Sequence, residues 1–365
     1  MLSILAANKA MYDAVLFVSF GGPDGPDDVI PFLENVLRGR NVPRERMLEV
    51  AEHYQHFSGK SPINDQNQAF ITALREELDR RGPHLPVYWG NRNWHPLLTD
   101  TLREMADAGV KRAIAFVTAG NSCYSGCRQY RENIAAACEP LGDRAPVVDK
   151  IRVFFNHPGF VGPMARNVQT ALEHFPAEAR GDVPVLFTAH SIPLSMADTS
   201  KYVPQLAESC RLVAEQAGVT NWKLVYQSRS GPPTQPWLEP DIGDEIKLQH
   251  ANGIRNLVIA PIGFISDHME VLFDLDTEAA DICRELGVDM ARAATVGTDP
   301  EFVSMVRDLI AERVLDLPDR AAIGRLPASH DVCPLDCCPA PQRPQAPGRP
   351  VVTGATPSPS GRGPG

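Results

Sequence analysis

The chain has 365 residues, enough for one large α/β unit or two similar halves. Its 35 basic and 45 acidic residues leave a net charge of −10, which argues against a nucleic-acid binder with a basic face and against a polybasic membrane-surface protein. Hydrophobic residues make up 43%, sufficient for a sizeable core, yet no run reaches the roughly 18 apolar residues of a membrane span.

The first ten residues, MLSILAANKA, lack the basic and apolar regions of a secretory signal. They are expected to be an N-terminal extension (1–10), with Met11 an alternative start. Without an export signal the expected compartment is the cytosol. The eight cysteines are then expected to be thiols, metal ligands or core residues rather than disulfides. From there, short apolar runs alternate with amphipathic stretches. Strands are predicted at 14–20, 86–90, 113–118, 183–189, 223–227, 256–261 and 290–296. Between them, Phe70, Leu74 and Leu78 recur on one helical face, as do Leu97, Leu98, Leu102 and Met105. Several strand runs are apolar without alternation, as in parallel strands covered on both faces. DAVLFVSFGGP (13–23) and VPVLFTAHSIP (183–193) read as one strand–turn–proline unit used twice. The expected fold class is α/β, with two similar Rossmann-like halves at 11–160 and 161–317, each a parallel sheet flanked by helices. Function is expected at the strands' C-terminal ends. The segment 318–338 carries clustered cysteines, and 339–365, rich in Pro, Gly and Ser, is expected to be disordered.

Four places carry chemistry. In FTAHSIP (187–193), His190 ends an apolar strand and projects at the ligand-binding edge, where an imidazole takes protons and binds metals; a histidine satisfied by backbone bonds is the plain alternative. In GFISDHMEVLFDLDTEA (263–279), Asp267 is placed to cap a helix on which Glu270, Asp274 and Glu278 recur at i, i+4 and i+8. Three stacked carboxylates suit cation transfer and proton relay, against a solvated acidic face as the alternative. Cys333, Cys337 and Cys338 form C-x3-CC, and Cys123 or Cys127 offers a fourth thiolate; zinc and an iron–sulfur centre both suit four thiolates. Cys138, Cys210 and Cys283 read as core residues. The glycine-rich FGGPDG (20–25) is not a dinucleotide fingerprint.

Together these pieces resemble a ferrochelatase. The likeness rests on SFGGP (19–23), HYQHFSGKSPIN (53–64), GNRNW (90–94), YSGCRQYREN (124–133), FTAHSIP (187–193), YQSRSGPPTQPWLEPD (226–241) and PIGFISDHMEVLFDLD (261–276), in family order. The wording is most similar to the actinobacterial coproporphyrin ferrochelatases. The resemblance implies a chelatase-like fold and insertion of ferrous iron into coproporphyrin III, giving coproheme. The same metalation of protoporphyrin IX, or a non-catalytic tetrapyrrole or metal carrier, are the alternatives. It implies that His190 binds the metal and takes protons, that Glu270 is its partner across the site, and that Asp274 and Glu278 relay protons or metal along a helix widened to a π-type turn. It makes Ser61 and Tyr130 porphyrin contacts and places Arg38 and Arg40 near the propionates. Cys127, preferred over Cys123, would join Cys333, Cys337 and Cys338 around a [2Fe–2S] cluster, with zinc second. Phe20 stands where some relatives have an axial tyrosine. The pathway's coproheme decarboxylase and coproporphyrinogen oxidase are implied partners of a monomer with neither nucleic acid nor a membrane span.

Overall fold

The computed structural model describes residues 12–39, 42–231 and 234–341. The expected extension, Met11, Arg40 and positions 342–365 of the expected tail lie outside the described residues. Among the described residues, eight strands form two all-parallel sheets. The first holds β1 (Ala14–Ser19), β2 (Val87–Asn91), β3 (Arg112–Val117) and β4 (Val147–Lys150) in the order β2-β1-β3-β4. The second holds β5 (Val185–His190), β6 (Trp222–Gln227), β7 (Asn256–Ala260) and β8 (Asp289–Arg292) in the order β6-β5-β7-β8. The two halves thus repeat one topology, as the twin motifs at 13–23 and 183–193 predict. In each, the first strand is central and fully buried along its apolar run. The strand β4, four residues of VVDK at a sheet edge, carries too little apolar pattern to be predicted. The strand β8 stops at Arg292, short of the predicted 296, because the chain then turns so that Gly297 N–H donates to Ile265 O (2.8 Å).

The cores follow from this layering. One continuous cluster runs through both halves, with Phe17 and Phe116 from the first sheet and Phe187 and Val258 from the second. Phe70, Leu74 and Leu78 face it from the helix Ile63–Arg81, as their spacing predicts. The final helix, Pro300–Val314, packs against Ile63–Arg81, against the helix Pro158–Leu172 and against β3, so the second half closes on the first. The division expected after residue 160 falls inside Pro158–Leu172. Among the described residues, no helix is long and apolar enough to cross a membrane.

Residues 318–341 form no helix or strand, but buried polar groups strap them to the fold. Asn156 Nδ2 donates to Leu326 O (2.7 Å), Arg325 N–H to Glu208 Oε1 (2.5 Å), and Arg152 Nη2 to Ala321 O (2.9 Å). Arg152 is itself fixed by two bonds to Glu312 (2.8 and 2.9 Å), with side chains 0% and 7% exposed. Removing one partner of such a pair strands a buried charge. Arg152→Met is therefore expected to lower unfolding free energy in urea by about 3–5 kcal/mol, and Arg152→Met with Glu312→Leu to recover much of it.

Candidate active site

The strand β5 ends on His190, at the C-terminal edge of the second sheet. Its Nδ1 lies 2.5 Å from Ser191 O, and a carbonyl can only accept, so Nδ1 carries a proton and Nε2 is the free valence. The Tyr202 hydroxyl donates to His190 O (3.0 Å), fixing the backbone from behind. The loop after β7 lies directly against this strand. A Cβ on Gly263 would stand 2.7 Å from Ala189 Cβ, so only glycine allows that approach.

This loop delivers Glu270. His268, rather than the expected Asp267, caps the helix Met269–Phe273: its Nδ1 accepts from Glu270 N–H (3.2 Å). Asp267 is instead held by Arg292 (3.2 Å) from β8, which also binds Asp276 (2.5 Å). Glu270 Oε1 comes to 3.4 Å from His190 Nε2. The helix then widens into a π-turn, Asp274–Ala279, as the resemblance implies. Asp274 accepts from Ser228 Oγ and from Gln227 Nε2 (3.4 Å), the latter also donating to Glu270 O (3.0 Å). Ser228 sits at φ 62, a left-handed conformation that a non-glycine residue keeps only when its surroundings enforce it. Gln227, Ser228 and Arg292 were not singled out by sequence reasoning. Gln227 and Ser228 stand at the end of a predicted strand, the one signal that could have flagged them.

His190 and Glu270 keep 31% and 46% of their side chains accessible, enough to meet a ligand, though protein surrounds them. Burial opposes charge on His190, but the Glu270 carboxylate and the Ser191 carbonyl outweigh it and lift the imidazole to about 9. Burial likewise opposes charge on Glu270, and His190 beside it holds the carboxyl at about 2. The pair's stabilisation is complete between the ordinary carboxyl value of 4.5 and the ordinary imidazole value of 6.5. It is lost as pH rises through about 9 or falls through about 2. Asp274 is pushed up to about 7, first by burial and then by Glu270 and Glu278, against the Ser228 bond. Burial and then Asp241 raise Glu278. The acidic row therefore contains one group poised to hold or release a proton near neutrality.

The resemblance sets Glu270 across the site from His190, as an acid facing a base over a flat guest would be, but the structure holds the two in contact at 3.4 Å. Carbon-to-carbon contact on both faces of a planar ring needs about 7 Å, and the pair is separated by half of that. Both groups address one side of any guest. From the first half the helix Arg44–His56 reaches the reactive loop, and it packs with Val29–Leu37 on Trp94. His53 stacks on Phe273 at 3.8 Å. Arg38 is exposed at the end of Val29–Leu37, bonded to Asn35 Oδ1 (2.5 Å). Ser61 is buried beneath Gly22, its N–H donating to Pro23 O (2.9 Å). Tyr130 is also buried, with the Arg92 guanidinium 4.4 Å over its ring. Phe20 is 38% exposed at the rim, edge-on to Phe32.

A second constellation lies where the strapped segment meets the first half. Cys127 is buried in a π-turn, Tyr124–Arg128, which Cys123 caps by accepting from Gly126 N–H (3.2 Å). The Cys333 thiol hydrogen-bonds Cys127 and, with Lys150 and Arg131, outweighs burial to hold Cys127 at about 5. Donating to that thiolate, and burial, raise Cys333. Cys337 and Cys338 place their sulfurs 3.6 Å apart, with Cys338 at φ 51, the sharp bend that adjacent ligands require. Arg128 Nη1 pins this turn through Leu335 O (3.1 Å) and Cys337 O (3.4 Å). Cys127 thus lies against Cys333, and Cys337 beside Cys338. Among the described residues, the donors that lie within 4.8 Å of one another are those of His330, Cys333 and Cys337, and thiolate with imidazole is a donor set that suits zinc. Sequence reasoning missed His330, whose Nε2 is 3.8 Å from Cys337 Sγ. Its place in an irregular segment gave no periodic signal. Cys210 and Cys283 are core residues as expected, and Cys138 is half-buried with its thiol on Pro146 O.

The electrostatics of the first site can be tested directly. Glu270→Gln removes the charge that offsets burial, so the His190 ring is expected to titrate at or below the ordinary 6.5, against about 9 in the parent, when followed by NMR. A variant ring still titrating near 9 would show that Glu270 is not the cause.

Comparison with known proteins agrees with this geometry. The family model described as Ferrochelatase matches residues 12–314. A ferrochelatase of Rhodopirellula baltica is 60% identical over 343 residues, covering 93% of this chain and 97% of the relative. A coproporphyrin III ferrochelatase of Streptomyces coelicolor is 53% identical over 366 residues, covering 94% and 96%. Among solved structures, SirB from Bacillus subtilis with Fe3+ superposes with a TM-score of 0.52 at 9% identity, over 84% of this chain and 97% of that one, a likeness of fold alone. Two repeated parallel sheets, a histidine–glutamate pair at one sheet edge and near full-length identity of this level leave one assignment: the chain belongs to the ferrochelatase family.

Proposed function

We propose that this chain inserts ferrous iron into coproporphyrin III, giving coproheme and releasing two protons. The observation that carries the reading is the contact between His190 and Glu270 with the acidic row leading away from it. The substrate follows the name of the Streptomyces coelicolor relative. Protoporphyrin IX remains the second reading because the Rhodopirellula baltica relative is named ferrochelatase without a porphyrin specified.

In this reading iron approaches Nε2 of His190, the valence that the Ser191 bond leaves free, with Glu270 as the second ligand. Metal binding requires the imidazole to lose the proton that the ion pair stabilises, and the carboxylate's charge compensates the incoming cation. The two pyrrole protons displaced by iron pass to His190 and along Asp274 and Glu278. Asp274, near 7, can accept and give one up at the same pH. Arg38 and Arg40 serve as propionate partners. Ser61 and Tyr130 serve as porphyrin contacts; both are buried in this structure, so contact requires the FGGP turn and Arg92 to give way. Cys127, Cys333, Cys337 and Cys338 would hold a [2Fe–2S] cluster, which supplies a one-electron couple when bound. A cytosolic monomer working between coproporphyrinogen oxidase and coproheme decarboxylase belongs to the same reading.

His190→Ala is expected to lower iron insertion by about 100-fold or more while coproporphyrin still quenches tryptophan fluorescence. Loss of porphyrin binding with metalation unaffected per bound porphyrin would favour a carrier. Steady-state turnover with coproporphyrin III is expected to exceed that with protoporphyrin IX, and equal turnover would remove the preference. Protein purified without oxygen is expected to absorb in the visible, and Cys127→Ser to bleach it; colourless protein with stoichiometric zinc would argue against the iron–sulfur assignment.

A further inference from the structure

The strapped segment contains more donors than a four-thiolate centre uses. The donor atoms of His330, Cys333 and Cys337 all lie within 4.8 Å of one another. His330 Nε2 is 3.8 Å from Cys337 Sγ, and Cys338 Sγ is 3.6 Å from that same sulfur. A tetrahedral zinc ion with bonds of about 2.3 Å to sulfur and 2.0 Å to nitrogen separates its ligands by about 3.5–3.8 Å. Both contacts match such an edge. Cys337 is thus the shared corner of a nitrogen–sulfur edge and a sulfur–sulfur edge. All four donors come from nine consecutive residues, whereas Cys127 belongs to the buried wall of the first half.

We infer that His330, Cys333 and Cys337, whose donor atoms already lie together, form a site for a mononuclear zinc-class ion independent of Cys127, with the neighbouring Cys338 supplying its fourth ligand. Cys333, Cys337 and Cys338 are common to this site and to the four-cysteine set. The fourth ligand distinguishes them: Cys127 ties the segment to the core, while His330 closes the site within the segment. Binding releases protons from the cysteines that are still thiols, and the neutral imidazole supplies its lone pair. The site does not depend on whether an iron–sulfur centre also forms.

The test uses the full-length protein, reduced and stripped of metal under inert gas, titrated with cobalt(II). Thiolate-to-cobalt charge-transfer bands report only sulfur-bound cobalt, so metal at His190 and Glu270 does not contribute to them. The parent and Cys127→Ser are expected to bind one equivalent with superimposable charge-transfer and d–d spectra. His330→Ala and His330→Gln are expected to weaken binding by more than about tenfold, the scale on which even an outer-shell partner acts, and to shift the d–d envelope. His330 is exposed, so these variants should keep the parent's circular dichroism. The inference is overturned if the His330 variants keep the parent spectrum and affinity, or if Cys127→Ser abolishes the sulfur bands. A colourless protein as purified would bear only on the iron–sulfur assignment and leave this titration decisive.

Discussion

Burial penalises charge on both His190 and Glu270, and each remains ionised because the other stands 3.4 Å away. Much of the surrounding structure serves that separation. Gly263 lets the loop lie on Ala189, His268 starts the helix one residue before Glu270 needs to turn inward, and Arg292 holds the loop at Asp267 and the π-turn at Asp276. The bond from His190 Nδ1 to Ser191 aims the other nitrogen at the carboxylate. A cation that enters must break this pair. The same geometry therefore makes the site stable when empty and makes its affinity depend on removing a proton from an imidazole held near 9.

The two halves divide the labour. The second sheet supplies the reactive groups: His190 at the end of β5 and Glu270 from the loop after β7, at the C-terminal edge where parallel sheets bind ligands. The first half meets the reactive loop through the helix Arg44–His56, whose His53 stacks on Phe273, and where Asp267 N–H donates to Gln66 Oε1 (2.8 Å). Burial raises the Tyr54 phenol on this helix, and the Glu270 charge adds to the rise, so the two halves meet electrostatically at the acid itself.

Seven of the eight strands, the repeat and the two ends of the site were legible because each is written locally: apolar runs, a histidine ending a strand, carboxylates every fourth residue. The meeting of His190 and Glu270 was legible only through resemblance, since 80 residues separate them and local pattern does not encode which strand neighbours which. The wrong separation, across a guest rather than side by side, has the same origin. The helix cap shifted from Asp267 to His268 because Arg292, distant in sequence, claims the aspartate. The end of a predicted strand points to the place of Ser228 but not to its left-handed backbone, which local pattern does not encode. His330 was hidden in a segment without periodicity, where only the folded turn brings it to Cys337.

One helix end joins the two chemical centres. Tyr202, at the start of Tyr202–Ala217, donates to His190 O, and Gln205, one turn later, bonds Ser122 twice: from Ser122 N–H (2.7 Å) and to Ser122 Oγ (3.1 Å). Ser122 precedes Cys123, the cap of the π-turn that carries Cys127. Both side chains are buried, so breaking either bond would leave a buried polar group unpaired. The imidazole and the thiol loop are therefore positioned from one rigid support rather than independently. A side chain that loosens the start of this helix must disturb both centres, whereas one that disturbs only the strapped segment meets Arg128 and the π-turn before it reaches His190.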